Sequence, residues 1–207
     1  MNRTIIITIG RQFGSGGRVI GQKLAEACGV SCYDRELIQL AAQESGLCRD
    51  LFEKADEQAS HSLKQTCSLE FSYAGMYMPQ LDILSGEGLF KIQSDAIRKL
   101  AETESCVIVG RCADYILRDH PLLVSFFIHN TMENRIRMVS ERLQLSVEQA
   151  GELITKTDKS RAAYYDYYTN KTWGKASSYH LSVDASVLGI DGTVAFMKAF
   201  VEKKIRG

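Results

Sequence analysis

Neither sign of charge is in excess in this chain: Lys and Arg together number 25, and Asp and Glu together number 25. That balance excludes the global basic field of a duplex-binding or polybasic membrane-binding protein, so any anion must be held by a local cluster. Long apolar runs are lacking too. No stretch approaches the ~20 apolar residues of a membrane span. The run TIIITI at 4–9 breaks into Gly10 and Arg11 too early for a secretory signal, so a cytoplasmic protein is the expectation. Cysteine is sparse. Six (Cys28, Cys32, Cys48, Cys67, Cys106 and Cys112) do not make a disulfide scaffold in a chain of 207 residues, and they are expected as reduced thiols. Cys28 and Cys32 are four apart, but no second close pair or His-x-x-x-His run completes a zinc site.

What is present fits one folded domain over residues 1–207. Apolar residues at 45% and charged residues at 24% suit a globular protein of this length and exclude a largely disordered one. Apolar, β-branched runs at 4–9, 30–33, 106–109, 122–128 and 179–183 read as strands. Between them, helical spacing appears from Arg18 to Cys28 with Gly29 as a stop, and again over 36–44, 49–58, 89–102, 113–117, 132–143 and from Ser146 onward. A terminal helix starts at Asp191 or Gly192, while residues 59–85 show no clear period. Alternating strands and helices predict a three-layer α/β/α protein with a parallel five-stranded sheet. Ligands of such sheets bind outside the carboxyl ends of the strands.

The segment GRQFGSGGRVIG sets Gly10, Gly14, Gly16, Gly17 and Gly21 around the first strand-to-helix junction. Glycines there let successive N–H groups converge on phosphate oxygens at a helix N-terminus. Two other readings compete. Asp34 lies twenty residues after Gly14, as in a dinucleotide fingerprint, but Val19 stands where GxGxxG needs Gly or Ala. A turn that merely packs the helix on the strand is the other. The P-loop pattern GxxxxGK[ST] is not met either: aligned on Gly14-Ser15-Gly16, its lysine position is Gly17, its hydroxyl position is Arg18, and Gly10 is one residue too early. Arg18 is then the candidate cation, and the protein ligand of a metal is unassigned, with Ser15 a weak substitute.

With CYDRELI after the second strand, FKIQSDAIRKLAETESCVIVGRCADYIL through the third, and TDKSRAAYY late in the chain, the sequence resembles the cytidylate kinase-like family of nucleoside-monophosphate kinases. The resemblance implies a P-loop kinase fold, with an acceptor-binding helical insertion at 35–104 and a lid-like helical segment at 144–175. It also implies ATP and Mg²⁺ as cofactors and a nucleoside monophosphate, CMP-like or dCMP-like, as acceptor. No nucleic-acid polymer or membrane partner is expected, and an oligomer is left open. Two alternatives remain: a nucleotide- or phosphate-binding regulator without turnover, and a kinase for another small acceptor.

Residue by residue, the resemblance implies that Gly10, Arg11, Gly14, Ser15, Gly16, Gly17 and Arg18 hold the donor phosphates. Arg111 matches the arginine that grips the monophosphate, a task suited to a bidentate guanidinium. Cys112 stands where the family reads the base with an aspartate, and a thiol cannot replace a carboxylate as acceptor. Lys91, Gln93 and Ser94 fall on the helix lining the nucleoside pocket, with exposed helix polars as the competing reading. Arg35 is a candidate for the acceptor phosphate, and Asp34 for that site or for a helix cap. Lys156, Asp158, Lys159 and Arg161 resemble the basic lid, with Lys159 and Arg161 the candidates to act on the phosphates. Tyr164, Tyr165, Tyr167 and Tyr168 follow, with lid, nucleotide and partner all open as their packing surface.

Overall fold

The computed structural model describes residues 4–34 and 86–206. The helices expected over 36–44 and 49–58, the segment 59–85, Arg35, Cys48 and Cys67 lie outside the described residues. Along the chain run β1 (Ile6–Arg11), α1 (Gly17–Cys28), β2 (Ser31–Tyr33), α2 (Gly86–Thr103), β3 (Cys106–Val109), α3 (Ala113–Ile116), β4 (Leu123–His129), α4 (Met132–Leu143), α5 (Val147–Thr169), β5 (Leu181–Asp184) and α6 (Ala185–Arg206). The five strands form one sheet in the order β2-β3-β1-β4-β5, parallel throughout.

Period-two alternation in the strands sorts the core into two layers. Ile7, Ile9, Val107, Val109, Val124, Phe126 and Ile128 face α1 and α6, where Ile20, Leu24, Met197 and Val201 cover them. Ile6, Cys106, Ile108, Leu123 and Phe127 face the other way, against Ile97 of α2, Ala113 and Ile116 of α3, and Tyr165 of α5. This is the expected three-layer α/β/α arrangement, with a sheet apolar on both faces because helices cover both. None of the described helices is long and apolar enough to cross a membrane.

Local signals fixed the helix ends. Gly29, at φ 67°, closes α1 through its N–H to Ala25 O and Glu26 O. Ser146 and Gln149 form a reciprocal capping box that starts α5. The terminal helix differs from expectation, since it begins at Ala185 and breaks at Gly189 (φ 65°, ψ −175°), so that its second half starts near the predicted Asp191.

The first strand also differs, running over 6–11 rather than 4–9, and the reason bears on the site. β1 pairs with β3 as far as Ile9↔Val109, but with β4 it continues through Gly10↔Phe127 and Arg11↔Ile128. Past Ile9 the β3 side is released, apart from Gly110 N donating to Ile9 O at 3.0 Å. A crevice therefore opens between the turns that follow β1 and β3, at the point where the strand order reverses.

Gly21 shows how closely α1 lies on the sheet. A Cβ there would stand 2.8 Å from Val109 Cγ2 and 3.3 Å from Ile9 Cδ1. Helix propensity favours valine over glycine by only a few tenths of a kcal/mol, far less than the cost of overpacking. Gly21→Val is expected to lose about 2 kcal/mol of stability, read as a lower urea midpoint with an unchanged m-value.

Candidate functional site

The turn after β1 is clamped by the two helices that follow β4. Phe13 N donates to Asp158 Oδ1 at 2.8 Å, and Phe13 O accepts from Arg135 Nε at 2.8 Å. Arg135, 4% exposed, closes the ring with an ion pair to Asp158. Arg161 Nη1, one turn along α5 from Asp158, donates to Arg11 O at 3.0 Å. The Phe13 ring lies beneath the guanidinium groups of Arg142 and Arg161, at 5.3 and 5.4 Å. Within the turn, Ser15 Oγ donates to Gln12 O at 2.9 Å, so that this buried hydroxyl braces the loop.

Gly14 (φ 78°) and Gly16 (φ 82°) take the left-handed conformations that the turn requires. Gly16 is the N-cap of α1 and brings no side chain to its first-turn N–H groups, and no acidic residue occupies that turn. Such an end favours an anion.

Three arginines converge beside this helix end. Arg11 keeps part of its surface in solvent, yet its surroundings are dense. Desolvation is the main cause that lowers its pKa to about 9, followed by repulsion from Arg161 and Arg111, with Asp34 opposing and Arg18 adding a smaller repulsion. Arg161 is pushed down to about 10, first by desolvation; Asp158 counters this, while Arg135 and Arg111 add to it. Arg11 and Arg161 stay protonated at neutral pH, and the mutual repulsion of the three is what a polyphosphate would relieve.

Arg111 is aimed by an unusual backbone. Gly110, Arg111 and Cys112 all have positive φ, at 86°, 58° and 55°. For the two non-glycine residues this is strained geometry of the kind found at ligand sites. Arg111 Cζ lies 5.9 Å from the centre of the Tyr164 ring, and it also hydrogen-bonds that tyrosine.

The remaining candidates divide. Arg18, 56% exposed, reaches Asp34 at 2.6 Å, so the two form a pair at the end of β2. Gln93 is buried, with its Oε1 accepting from Tyr164 OH at 3.4 Å while its Nε2 has no partner. Ser94 is buried and donates back to Phe90 O at 2.7 Å, which uses its proton within α2. Lys91 is exposed. Lys159 departs from expectation. Two residues before Arg161, and so about 200° round the helix, it lines a groove with Lys156, Ile136 and Glu148, away from the arginines. Cys112 departs too. It is 4% exposed, packed in the core layer with Ala113 and Tyr165, and burial pushes its thiol up to about 12.

The tyrosines resolve into separate roles. Tyr165 is buried and donates to Asp114 Oδ2 at 2.7 Å. Tyr168 stacks on Phe90 of α2 at 4.1 Å, with Tyr164 edge-on beside it. Tyr167 is 67% exposed. The sequence places a helix over 132–143 but does not show that Arg135 and Asp158 grip Phe13, because residues 13, 135 and 158 meet only through the fold. A separate cavity of about 390 Å³, lined by His120, Lys171 and His180 among others, lies at the amino ends of β4 and β5, the far end of the sheet.

The model of the cytidylate kinase-like family matches residues 6–187. The chain belongs to this family. Among solved structures it is similar to an uncharacterized protein from Eubacterium ventriosum, 29% identical, with a TM-score of 0.72 over 96% of this chain and 99% of that one. It also resembles two shikimate kinases at 13% identity. That from Bacteroides thetaiotaomicron gives a TM-score of 0.55 over 96% of this chain and 98% of the other, and that from Acinetobacter baumannii, solved with shikimate, gives 0.51 over 98% and 94%. The latter pair share the fold of this chain. No curated protein matches the sequence.

Two outcomes follow from the site's construction. Arg135→Met leaves the Asp158 carboxylate, 15% exposed, without its buried partner. It is expected to lower stability by about 3 kcal/mol, measured by urea unfolding. For Cys112, a rise from 9.0 to about 12 makes thiolate about a thousandfold scarcer at pH 8, outweighing the higher nucleophilicity of a more basic thiol. Alkylation of Cys112 by iodoacetamide, followed by peptide mass spectrometry, should be at least about tenfold slower in the folded protein than in urea.

Proposed function

We propose that the protein is a phosphotransferase that moves the γ-phosphoryl group of ATP to a nucleoside monophosphate, CMP or dCMP by resemblance. The observation that carries this reading is the convergence of Arg11, Arg111 and Arg161 on the open N-terminus of α1, in the crevice between the turns after β1 and β3. Desolvated cations and aligned N–H groups suit a polyphosphate far better than a neutral ligand.

The residues present fit ATP phosphates. They do not offer Mg²⁺ an evident protein ligand: Ser15 is turned into the loop, Asp34 is engaged by Arg18, and no group of three acidic, His or Cys side chains gathers among the described residues. A divalent ion would depend on the phosphates that carry it.

When bound, ATP supplies the group to be transferred. The N–H groups at Gly16 and Gly17 orient the donor phosphates, while Arg111, propped by Tyr164, holds the acceptor phosphate across the crevice. Arg11 and Arg161 lie between and neutralise charge developing on the transferred group. Positioning and electrostatics carry the reaction, so no general base is required. Docking of α5 through Asp158 and Arg161 keeps water from the loop, which gives the 144–175 segment its lid role.

A kinase for a different small acceptor is the second reading, and the burial of Cys112 favours it. The position expected to read the base faces the core and presents no acceptor to a cytosine amino group.

The deciding experiment assays the purified protein with ATP and Mg²⁺ against CMP, dCMP, UMP, AMP, GMP and shikimate. Transfer to one acceptor, with kcat/KM lowered at least about a hundredfold by Arg111→Ala, is the expected result. ATP binding by calorimetry without transfer to any of these acceptors would sink the nucleoside-monophosphate reading and leave a nucleotide-binding regulator or a kinase for an acceptor outside the panel.

A further inference from the structure

The P-loop pattern GxxxxGK[ST] puts a glycine five residues before its second glycine and a lysine directly after it. Counted from Gly16, those positions are 11 and 17. This chain has arginine at the first and glycine at the second, so the small residue and the cation have changed places within one motif.

The geometry explains why both changed. A Cβ at Gly17 would stand 2.6 Å from Arg11 Cβ and 3.0 Å from Arg11 Cγ. The stem of Arg11 therefore fills the space a side chain at 17 would need. Its guanidinium runs on to Gly110, where a Cβ would lie 2.9 Å from Arg11 Cζ and nearer still to Nη1. Arg11 thus starts on the central strand, crosses the first residue of α1, and ends between the two turns that frame the crevice.

We infer that Arg11 is the phosphate-binding cation of this loop, delivered from β1 in place of the missing lysine, and that Gly17 is glycine to let it pass. The inference rests on the nucleotide-binding reading above and names the residue that performs a step in it. Arg18, the cation nearest to the lysine position in sequence, is directed to Asp34 instead. The exchange also changes the chemistry. A lysine offers a compact point charge, whereas the planar fork of Arg11, placed beside Gly110 and Arg111, can bond an oxygen of the donor's terminal phosphate and one of the acceptor at the same time. The ligand class is a nucleoside triphosphate, recognised through its polyphosphate.

The test is a double-mutant cycle that moves the cation back, using calorimetric titration of ATP and of inorganic tripolyphosphate, with circular dichroism confirming the fold of each variant. Arg11→Gly should weaken binding of both by at least about tenfold, the effect of removing a charged hydrogen-bond donor. Gly17→Lys alone should also weaken binding, because two side chains then compete for one space. The double variant Arg11→Gly with Gly17→Lys recreates G-x-x-x-x-G-K and should bind within about threefold of the parent, a strongly non-additive result. Arg11→Met, which keeps the stem over Gly17, replaces Arg11→Gly if the latter does not fold, with the same expectation. The inference is overturned if a folded variant lacking the Arg11 guanidinium binds as tightly as the parent, or if the folded double variant binds no better than Arg11→Gly. A parent protein that binds neither ATP nor tripolyphosphate refutes the nucleotide-binding reading itself, a distinguishable failure that removes the inference with it.

Discussion

Phe13 is held by both of its backbone groups, the N–H by Asp158 and the carbonyl by Arg135, and these two side chains are paired to each other. The end of the molecule that carries the glycine-rich turn depends on this ring of three residues. A glycine-rich turn has little conformational preference of its own. Anchoring it at Phe13 converts loose chain into a fixed presentation of N–H groups. The same contact docks α5, which brings Arg161 onto the carbonyl of Arg11. Loop geometry and the cation cluster are therefore set by a single interaction, and both follow from the course of α4 and α5.

That cluster is costly to assemble. Arg11, Arg111 and Arg161 repel one another in a partly desolvated crevice, and Asp34 and Asp158 are the carboxylates that oppose them. The consecutive left-handed residues Gly110, Arg111 and Cys112 add backbone strain at the same place. Unfavourable terms concentrated at one spot, on a scaffold otherwise packed with Ile, Val and Phe, are typical of a site whose arrangement is set by a ligand rather than by stability. The strand pairing makes room for it. β1 leaves β3 after Ile9 yet stays bonded to β4 through Arg11, so the crevice opens on one side while the other keeps the strand rigid.

Much of this architecture was legible before any coordinates. The strands at 106–109 and 122–128, the helix at 132–143 and the start of α5 after Ser146 were placed to within a residue, because buried parallel strands are nearly uniform apolar runs and helix ends carry local capping chemistry. Arg11, Arg111 and Arg161 were all named as candidates, Arg11 for its place in the glycine-rich segment and the other two because their segments resemble the family's phosphate-gripping arginine and basic lid. The sequence did not reveal which cations meet. Lys159 and Arg161 look equivalent in a list of charges, and only the rotation of α5 on the sheet separates them. Cys112 and Ser94 read as polar positions near a pocket, yet one is packed in the core and the other is bonded back to its own helix.

By itself, then, the sequence determined the order of the elements, the parallel sheet, and the presence of a glycine-rich turn after the first strand, because each depends on residues within a few positions of one another. The tertiary structure alone decided the clamp on Phe13, the path of Arg11 across Gly17, and the pairing of Arg18 with Asp34. Those features depend on contacts between residues up to 150 positions apart, as between Arg11 and Arg161, and on which atoms share a space a few ångströms wide. Local patterning specifies where a chain turns. Packing specifies which side chain fills the turn, because two groups cannot occupy one volume.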